Sequence, residues 1–129
     1  MITFAYTILY VQNVTKAMTF YENAFGFERK FITPDEDYGE LISGATTLSF
    51  AVHSLAKSNL KESYIESAPT AKPFGIELGF TSDDVEKTVE TALQAGATLT
   101  EAVKTKPWGQ KVAYVRDPEG FLVEICSPM

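Results

Sequence analysis

Glu124 is the residue of this sequence that raises the first chemical question. It interrupts an apolar run, 121–125, that follows the turn residues 117–120. A carboxylate in a strand that is buried on at least one face needs a partner, which can be a cation, a metal ion or several hydrogen-bond donors. The runs 112–115 and 121–125 are rich in β-branched and aromatic residues, so they predict a β-hairpin around the turn.

His53 is the only histidine of the chain. No other side chain titrates near neutrality without help from its surroundings, so His53 is the best acid–base candidate if a reaction takes place. The pattern predicts a strand from Thr46 to His53. Side chains alternate along a strand, so His53 is expected on the same face as Ser49 and Ala51.

Length and composition limit the classes of protein that need to be considered. At 129 residues and 45% hydrophobic content, the chain predicts one domain with its own core. The net charge of −6 argues against a nucleic-acid partner. The single cysteine, Cys126, excludes an internal disulfide and favours a reducing compartment. We find no signal peptide pattern and no membrane span, so the sequence predicts a cytoplasmic protein without a membrane partner.

The order of predicted elements occurs twice along the chain. Apolar residues at helical spacing predict a helix that is capped by Asn13 and ends at Gly26. A second helix is predicted to begin after Asp83, with Glu86 completing a capping box, and to end at Gly96. One strand precedes each helix and three strands follow it, so each half is predicted to be β-α-β-β-β.

This duplication predicts the architecture. Module 1 spans about 4–53, the linker 54–74, and module 2 about 75–127. Two half-open sheets can curl around a shared trough while their helices cover the outside. The fold class is therefore α+β, with two βαβββ modules that form a paired, curled mixed sheet with a central trough and helices outside. No phosphate loop, nucleophile elbow or Cys/His cluster is present, which argues against the common nucleotide-dependent enzymes.

The chain resembles the vicinal oxygen chelate superfamily, the glyoxalase, bleomycin resistance protein and extradiol dioxygenase group. The segments that carry the resemblance are 14–27, 83–97 and 108–124, and the likeness covers essentially the whole chain. The resemblance implies the fold described above and a homodimer. It also implies a small-molecule site in the trough.

Metal-dependent members of this family carry His or Glu ligands on the first and last strand of each half. The resemblance places Tyr6, Ser49, Glu77 and Glu124 at those positions. Zinc, nickel and iron prefer imidazole or thiolate ligands, so this set implies no catalytic transition metal and no other cofactor. A hard divalent ion such as magnesium or manganese, held by Glu77 and Glu124, is the alternative.

The leading interpretation is a bleomycin-resistance-like protein that binds a small amphipathic or cationic molecule without turnover. Glu77 and Glu124 would converge on the trough and raise each other's proton affinity, which suits a receptor for a cation. The side chains predicted to contact the ligand are Tyr6, Ile8, Tyr10, Ser49, Trp108 and Tyr114.

The alternative interpretation is a metal-assisted, glyoxalase-like lyase or isomerase that acts on a small oxygenated substrate. Its catalytic residues would be Glu124, Glu77 and His53. A third interpretation is a protein whose trough is vestigial. Structural roles stay open as well: Glu77 as a solvent-facing carboxylate, His53 as a rim residue, and Arg116 as a brace that pairs with an acid near its turn.

Overall fold

The computed structural model describes all residues, 1–129. The chain forms eight strands and three helices. In chain order they are β1 (Thr7–Val11), α1 (Val14–Phe25), β2 (Glu28–Ile32), β3 (Tyr38–Ser43), β4 (Thr46–Val52), α2 (His53–Asn59), β5 (Glu77–Thr81), α3 (Val85–Ala95), β6 (Thr98–Thr105), β7 (Lys111–Arg116) and β8 (Leu122–Cys126).

The two halves have the same sheet topology. The strand order is β1-β4-β3-β2 in the first sheet and β5-β8-β7-β6 in the second. The pairs β1–β4 and β5–β8 are parallel, and the other neighbouring strands are antiparallel. Both sheets are therefore mixed, and the predicted α+β fold of two βαβββ modules is confirmed.

The helix ends follow their capping residues. The Asn13 side chain accepts a hydrogen bond from the Lys16 amide at 2.9 Å, and Gly26 ends α1 in the left-handed conformation at φ +72°. The cap of α3 is Asp84, which accepts from the Lys87 amide at 3.0 Å. The prediction of Asp83 was wrong because the helix begins at Val85, so Asp83 lies one residue too early to reach that amide.

Backbone contacts divide the chain into two compact units. Unit 1 is Met1–Glu22 with Gly26–Glu66, and unit 2 is Asn23–Phe25 with Ser67–Met129. In unit 1, Phe50 is fully buried on β4 and its ring lies 5.5 Å from that of Tyr21 on α1. Each buried side chain of this kind contributes roughly 1.5–3 kcal/mol to the free energy of unfolding.

The core of unit 2 lies between α3 and one face of its sheet. Val115, Val123 and Ile125 are fully buried on β7 and β8, and Val85 and Ala92 of α3 are buried with them. Side chains alternate along these strands, so the residues between the buried ones project from the opposite face. Glu124 is one of those residues.

Arg116 at the end of β7 braces the hairpin turn, as one of the open alternatives had it. Its guanidinium donates to the carbonyl oxygens of Gly120 at 3.0 Å, Ala68 at 3.0 Å and Pro69 at 3.4 Å. The partners are backbone carbonyls and not the nearby acid that the sequence suggested. The Arg116 side chain thus connects the turn to the segment before β5.

The bounds of β1 and β4 differ from the predicted bounds. β1 begins at Thr7, two residues later than predicted, because Ala5 and Tyr6 have no strand partner. Strand β4 ends at Val52, and a short helix, α2, begins at His53 inside the predicted linker region. None of the three helices has the length and apolar character that crossing a bilayer requires.

Candidate functional site

Three predicted site residues, Glu77, Tyr114 and Glu124, share one face of the second sheet. Glu124 of β8 is the direct partner of Gly79 on β5 and of Tyr114 on β7. Glu77 lies two residues before Gly79, so alternation places it on the same face as Glu124. Gly79 lies between them and has no side chain that could separate them. A Cβ atom at this position would lie 3.9 Å from Glu124 Oε1.

The Glu124 carboxylate accepts a hydrogen bond from a neighbouring phenol. The Tyr114 hydroxyl donates to Glu124 Oε2 at 3.0 Å. Burial, followed by this hydrogen bond and the charge of Glu124, raises the pKa of Tyr114 to about 12. Tyr114 therefore stays a neutral donor across the physiological pH range.

Glu124 affects the ionisation of Glu77. Partial burial, and next the negative charge of Glu124, raise the pKa of Glu77 above its ordinary value. The ion pairs of the chain involve neither Glu77 nor Glu124, so no Lys, Arg or His side chain neutralises them. The face carries a negative charge that the protein itself does not compensate.

The first sheet has a related row of residues. Ser49 of β4 is the direct partner of Ile8 on β1 and of Glu40 on β3. The registers make Ser49 the counterpart of Glu124, and Ile8 the counterpart of Gly79. Tyr6 and Glu77 are then equivalent as well, so the four positions implied by the family resemblance correspond in pairs.

Two polar residues of this row, Tyr38 and Glu40, were not singled out from the sequence. The Tyr38 hydroxyl donates to Glu40 Oε2 at 2.8 Å, and Lys30 Nζ lies 3.6 Å from Glu40 Oε1. Burial, and to a lesser degree Glu40, raise the pKa of Tyr38 to about 12, while the Ser49 hydroxyl beside it acts in the opposite direction. The signal was present in the sequence, because Tyr38 and Glu40 alternate with Gly39 and the core residue Leu41.

The predicted aromatic strip lies on the face that Ser49 shares. Tyr6 is 48% exposed and Ile8 is 37% exposed, so both can contact a ligand. The Tyr10 ring lies 4.7 Å from the ring of Tyr64, a residue of the predicted linker that the sequence analysis did not single out.

His53 is placed differently from the prediction. It is the first residue of α2 and not the last residue of β4, so the alternation of the strand does not determine where it points. Its Nδ1 lies 2.6 Å from the Tyr64 hydroxyl, and its Nε2 lies 3.7 Å from Glu66, which also pairs with Lys57. His53 is buried, and these contacts tie α2 to the segment that follows it.

Trp108 lies in the loop between β6 and β7 and is 61% exposed. Its indole Nε1 donates to Gln110 Oε1 at 2.9 Å, and Gln110 in turn donates to the Ser127 carbonyl oxygen. This chain of hydrogen bonds fixes the orientation of the ring while most of its surface stays free. The predicted role of Trp108 at a pocket rim stays a prediction.

The residues present do not fit a transition-metal site. No group of three or more His, Cys, Asp or Glu side chains comes together in the structure. Glu77, Glu124 and Tyr114 of unit 2 offer two carboxylates and a phenol, while zinc, nickel and iron prefer imidazole or thiolate ligands. Cys126 is on the same face, but burial raises the pKa of its thiol, which disfavours the thiolate.

Comparison with known proteins gives the relatives of this chain. A virulence protein of Salmonella typhimurium is 31% identical over 127 residues, which cover 93% of this chain and 80% of that protein. A putative lactoylglutathione lyase of Brassica oleracea is 29% identical over 130 residues and 96% of this chain. This chain spans only 44% of the plant protein's length.

The fold comparison agrees with the sequence comparison. The crystal structure of a glyoxalase/bleomycin resistance protein/dioxygenase family enzyme from Burkholderia phytofirmans superimposes with a TM-score of 0.81. It is 23% identical, and the match covers 97% of this chain and 98% of that one. The sequence profile of the corresponding superfamily matches residues 3–125. The chain therefore belongs to the glyoxalase/bleomycin resistance protein/dioxygenase superfamily.

Proposed function

We propose that the protein binds a small amphipathic cation through Glu77 and Glu124, without turnover and without a transition metal. The observation that carries the proposal is the pair of carboxylates on one sheet face, with the pKa of Glu77 raised and no cation of the chain beside them. A bound cation would offset the repulsion between the two charges. Binding and ionisation of Glu77 would then favour each other.

The surroundings of the pair support an organic cation. Tyr114 places an aromatic ring next to Glu124, and aromatic faces attract alkylammonium groups. Its hydroxyl is already engaged with Glu124, so the ring is held in a fixed position. We include Trp108 of the same unit as a contact for the remainder of a ligand, on the basis of its exposure. The predicted contacts Tyr6, Ile8, Tyr10 and Ser49 belong to unit 1 and stay predictions.

The second candidate is the glyoxalase-like lyase or isomerase. The raised pKa of Glu77 favours it, because a carboxylate with increased proton affinity is a better general base. The relative from Brassica oleracea carries the name of such an enzyme. A divalent ion present at one equivalent after chelator-free purification, and lost in both Glu77→Gln and Glu124→Gln, would support this candidate instead.

The proposal predicts that Glu124→Gln weakens the binding of benzyltrimethylammonium, a permanent aromatic cation. We expect a loss of affinity of about five- to tenfold, since one partly screened charge contact is removed. The measurement is a titration of amide chemical shifts with this probe.

Glu90→Gln is the matched control. It removes the same charge from the exposed residue Glu90 of α3. Its affinity for the probe is expected to stay close to that of the unaltered protein. Equal losses in the two variants would show a general charge effect and would contradict the proposed site.

A further inference from the structure

We infer that Gly79 sets the chemical class of the cation, because the space above it admits the bulky head of a quaternary ammonium ion. This inference rests on the proposed function, since the charges that hold the ion are those of Glu77 and Glu124. It adds a residue whose contribution is the absence of a side chain. Gly79 is exposed in the middle of β5, directly opposite Glu124 on β8.

The backbone at Gly79 gives no reason for a glycine. Its φ angle lies outside the left-handed region, in contrast to five other glycines of the chain, so an alanine can adopt the same conformation. The pairing of β5 with β8 continues in regular register from Glu77 to Thr81, so Gly79 is not part of a bulge. Glycine within a strand also costs stability relative to alanine, because it loses more conformational freedom on folding.

The packing around Gly79 gives no reason for a glycine either. A Cβ atom would meet a single group within 4 Å, Glu124 Oε1 at 3.9 Å, which is an ordinary van der Waals distance. Gly39, the other glycine within a strand, is different, because its Cβ atom would overlap the sulfur of Met18. Glycines in strand interiors often mark a close approach by another backbone or by a ligand. No backbone from elsewhere in the chain approaches the Cβ position of Gly79, which leaves a ligand.

The space above Gly79 lies between two negative charges. Glu77 precedes Gly79 by two residues on the same strand face, and Glu124 is its direct neighbour on β8. A hydrogen bond between the two carboxyl groups contributes to the raised pKa of Glu77, so the side chains reach towards each other across this part of the sheet. In the first sheet, Ile8 occupies the equivalent register position and has a side chain there. The gap is therefore a feature of unit 2.

The size of the ammonium head decides whether it needs this gap. A primary ammonium ion is small and carries three N–H donors, so it can bind the carboxylates by hydrogen bonds from above. A quaternary ammonium ion has no N–H donor and carries its charge inside a shell of alkyl groups, so it must fit closely between the carboxylates. The gap at Gly79 gives such a head the room it needs, and Tyr114 on the other side of Glu124 adds an aromatic ring.

Gly79→Ala tests the inference with two probes that share one aromatic body, benzyltrimethylammonium and benzylammonium. The added methyl group would occupy the gap, so we expect the affinity for benzyltrimethylammonium to fall about tenfold and that for benzylammonium to change less than about twofold. The measurement is a titration of amide chemical shifts with each probe at neutral pH. Equal changes for the two probes, or no change for either, would overturn the inference.

Gly75→Ala is the matched control. Gly75 also has a φ angle outside the left-handed region and free space around its Cβ position, but it lies before β5 and not opposite Glu124. We expect this variant to leave both affinities unchanged. A selective loss of benzyltrimethylammonium binding equal to that in Gly79→Ala would overturn the inference.

The free protein supplies a second readout. The added methyl group meets no steric overlap, so the melting temperature of Gly79→Ala is expected to equal or exceed that of the unaltered protein. A lower melting temperature would show that the protein itself requires this glycine and would overturn the inference. If Glu124→Gln weakens binding of the probes while Gly79→Ala weakens neither, the cation site stands and only the role of Gly79 fails. If Glu124→Gln weakens neither, the proposed function fails and the inference fails with it.

Discussion

Gly120→Ala is expected to lower the free energy of unfolding by about 2–4 kcal/mol, the largest loss that we predict for an alanine substitution in this chain. Gly120 has φ +97°, a conformation that residues with a Cβ atom rarely adopt. A Cβ atom would also lie 2.5 Å from the carbonyl carbon of Ala68 and 2.6 Å from its oxygen. The backbone cannot move aside easily, because Arg116 and Ser67 both bind the turn to this segment.

Gly109→Ala is the control that separates backbone strain from steric overlap with Ala68. Gly109 has nearly the same conformation, φ +91°, but no atom lies within 4 Å of the added Cβ position. We expect a loss of about 1 kcal/mol, from backbone strain alone. The measurement is chemical denaturation of both variants. Equal losses would contradict close packing of residues 67–69 on the turn.

Asp117→Ala is expected to have the second largest effect. The Asp117 side chain is 2% exposed, and its Oδ1 atom accepts the amides of Glu119 and Phe121, each at 2.9 Å. Alanine would leave these two amides without their acceptor inside the hairpin turn. We expect a loss of about 2–4 kcal/mol in the free energy of unfolding, measured by chemical denaturation.

Asp117→Asn is the conservative control for this prediction. An asparagine oxygen can replace Oδ1 and accept both amides, so less than about half of the alanine effect is expected. If Asp117→Asn lowered the free energy of unfolding as much as Asp117→Ala, the negative charge rather than the two hydrogen bonds would account for the role of Asp117. The hydrogen-bonding explanation would then be wrong.

Features that depend on residues close together in the sequence were predicted well. The turn and hairpin around residues 117–120, the Asn13 cap and the Gly26 stop were all confirmed. The repeated element order identified the fold, and counting along it paired Tyr6 with Glu77. These features succeed because alternation, capping and turn formation are decided within a few residues.

Features that depend on distant contacts were not predicted. The sequence could not show that His53 starts a helix and contacts Tyr64, or that Arg116 binds the carbonyls of Ala68 and Pro69. The alternation of Tyr38 and Glu40 with Gly39 and Leu41 was visible in the sequence, but the position of Glu40 beside Ser49 depends on the pairing of β3 with β4. The trough, the homodimer, the cytoplasmic location and the absence of a cofactor stay predictions.

The most direct test of the proposed cation site is the ionisation of Glu77, followed by NMR of its side-chain carboxyl carbon as the pH is raised. Its pKa should lie above the ordinary value of 4.5, and saturating benzyltrimethylammonium should lower it, because a bound cation favours the charged form. Affinity for the probe should rise correspondingly as the pH increases from 4.5 through the raised pKa. Glu124→Gln should also lower the pKa of Glu77, though not fully, since partial burial remains. A pKa of Glu77 that neither the probe nor Glu124→Gln changes would contradict the coupled carboxylate site.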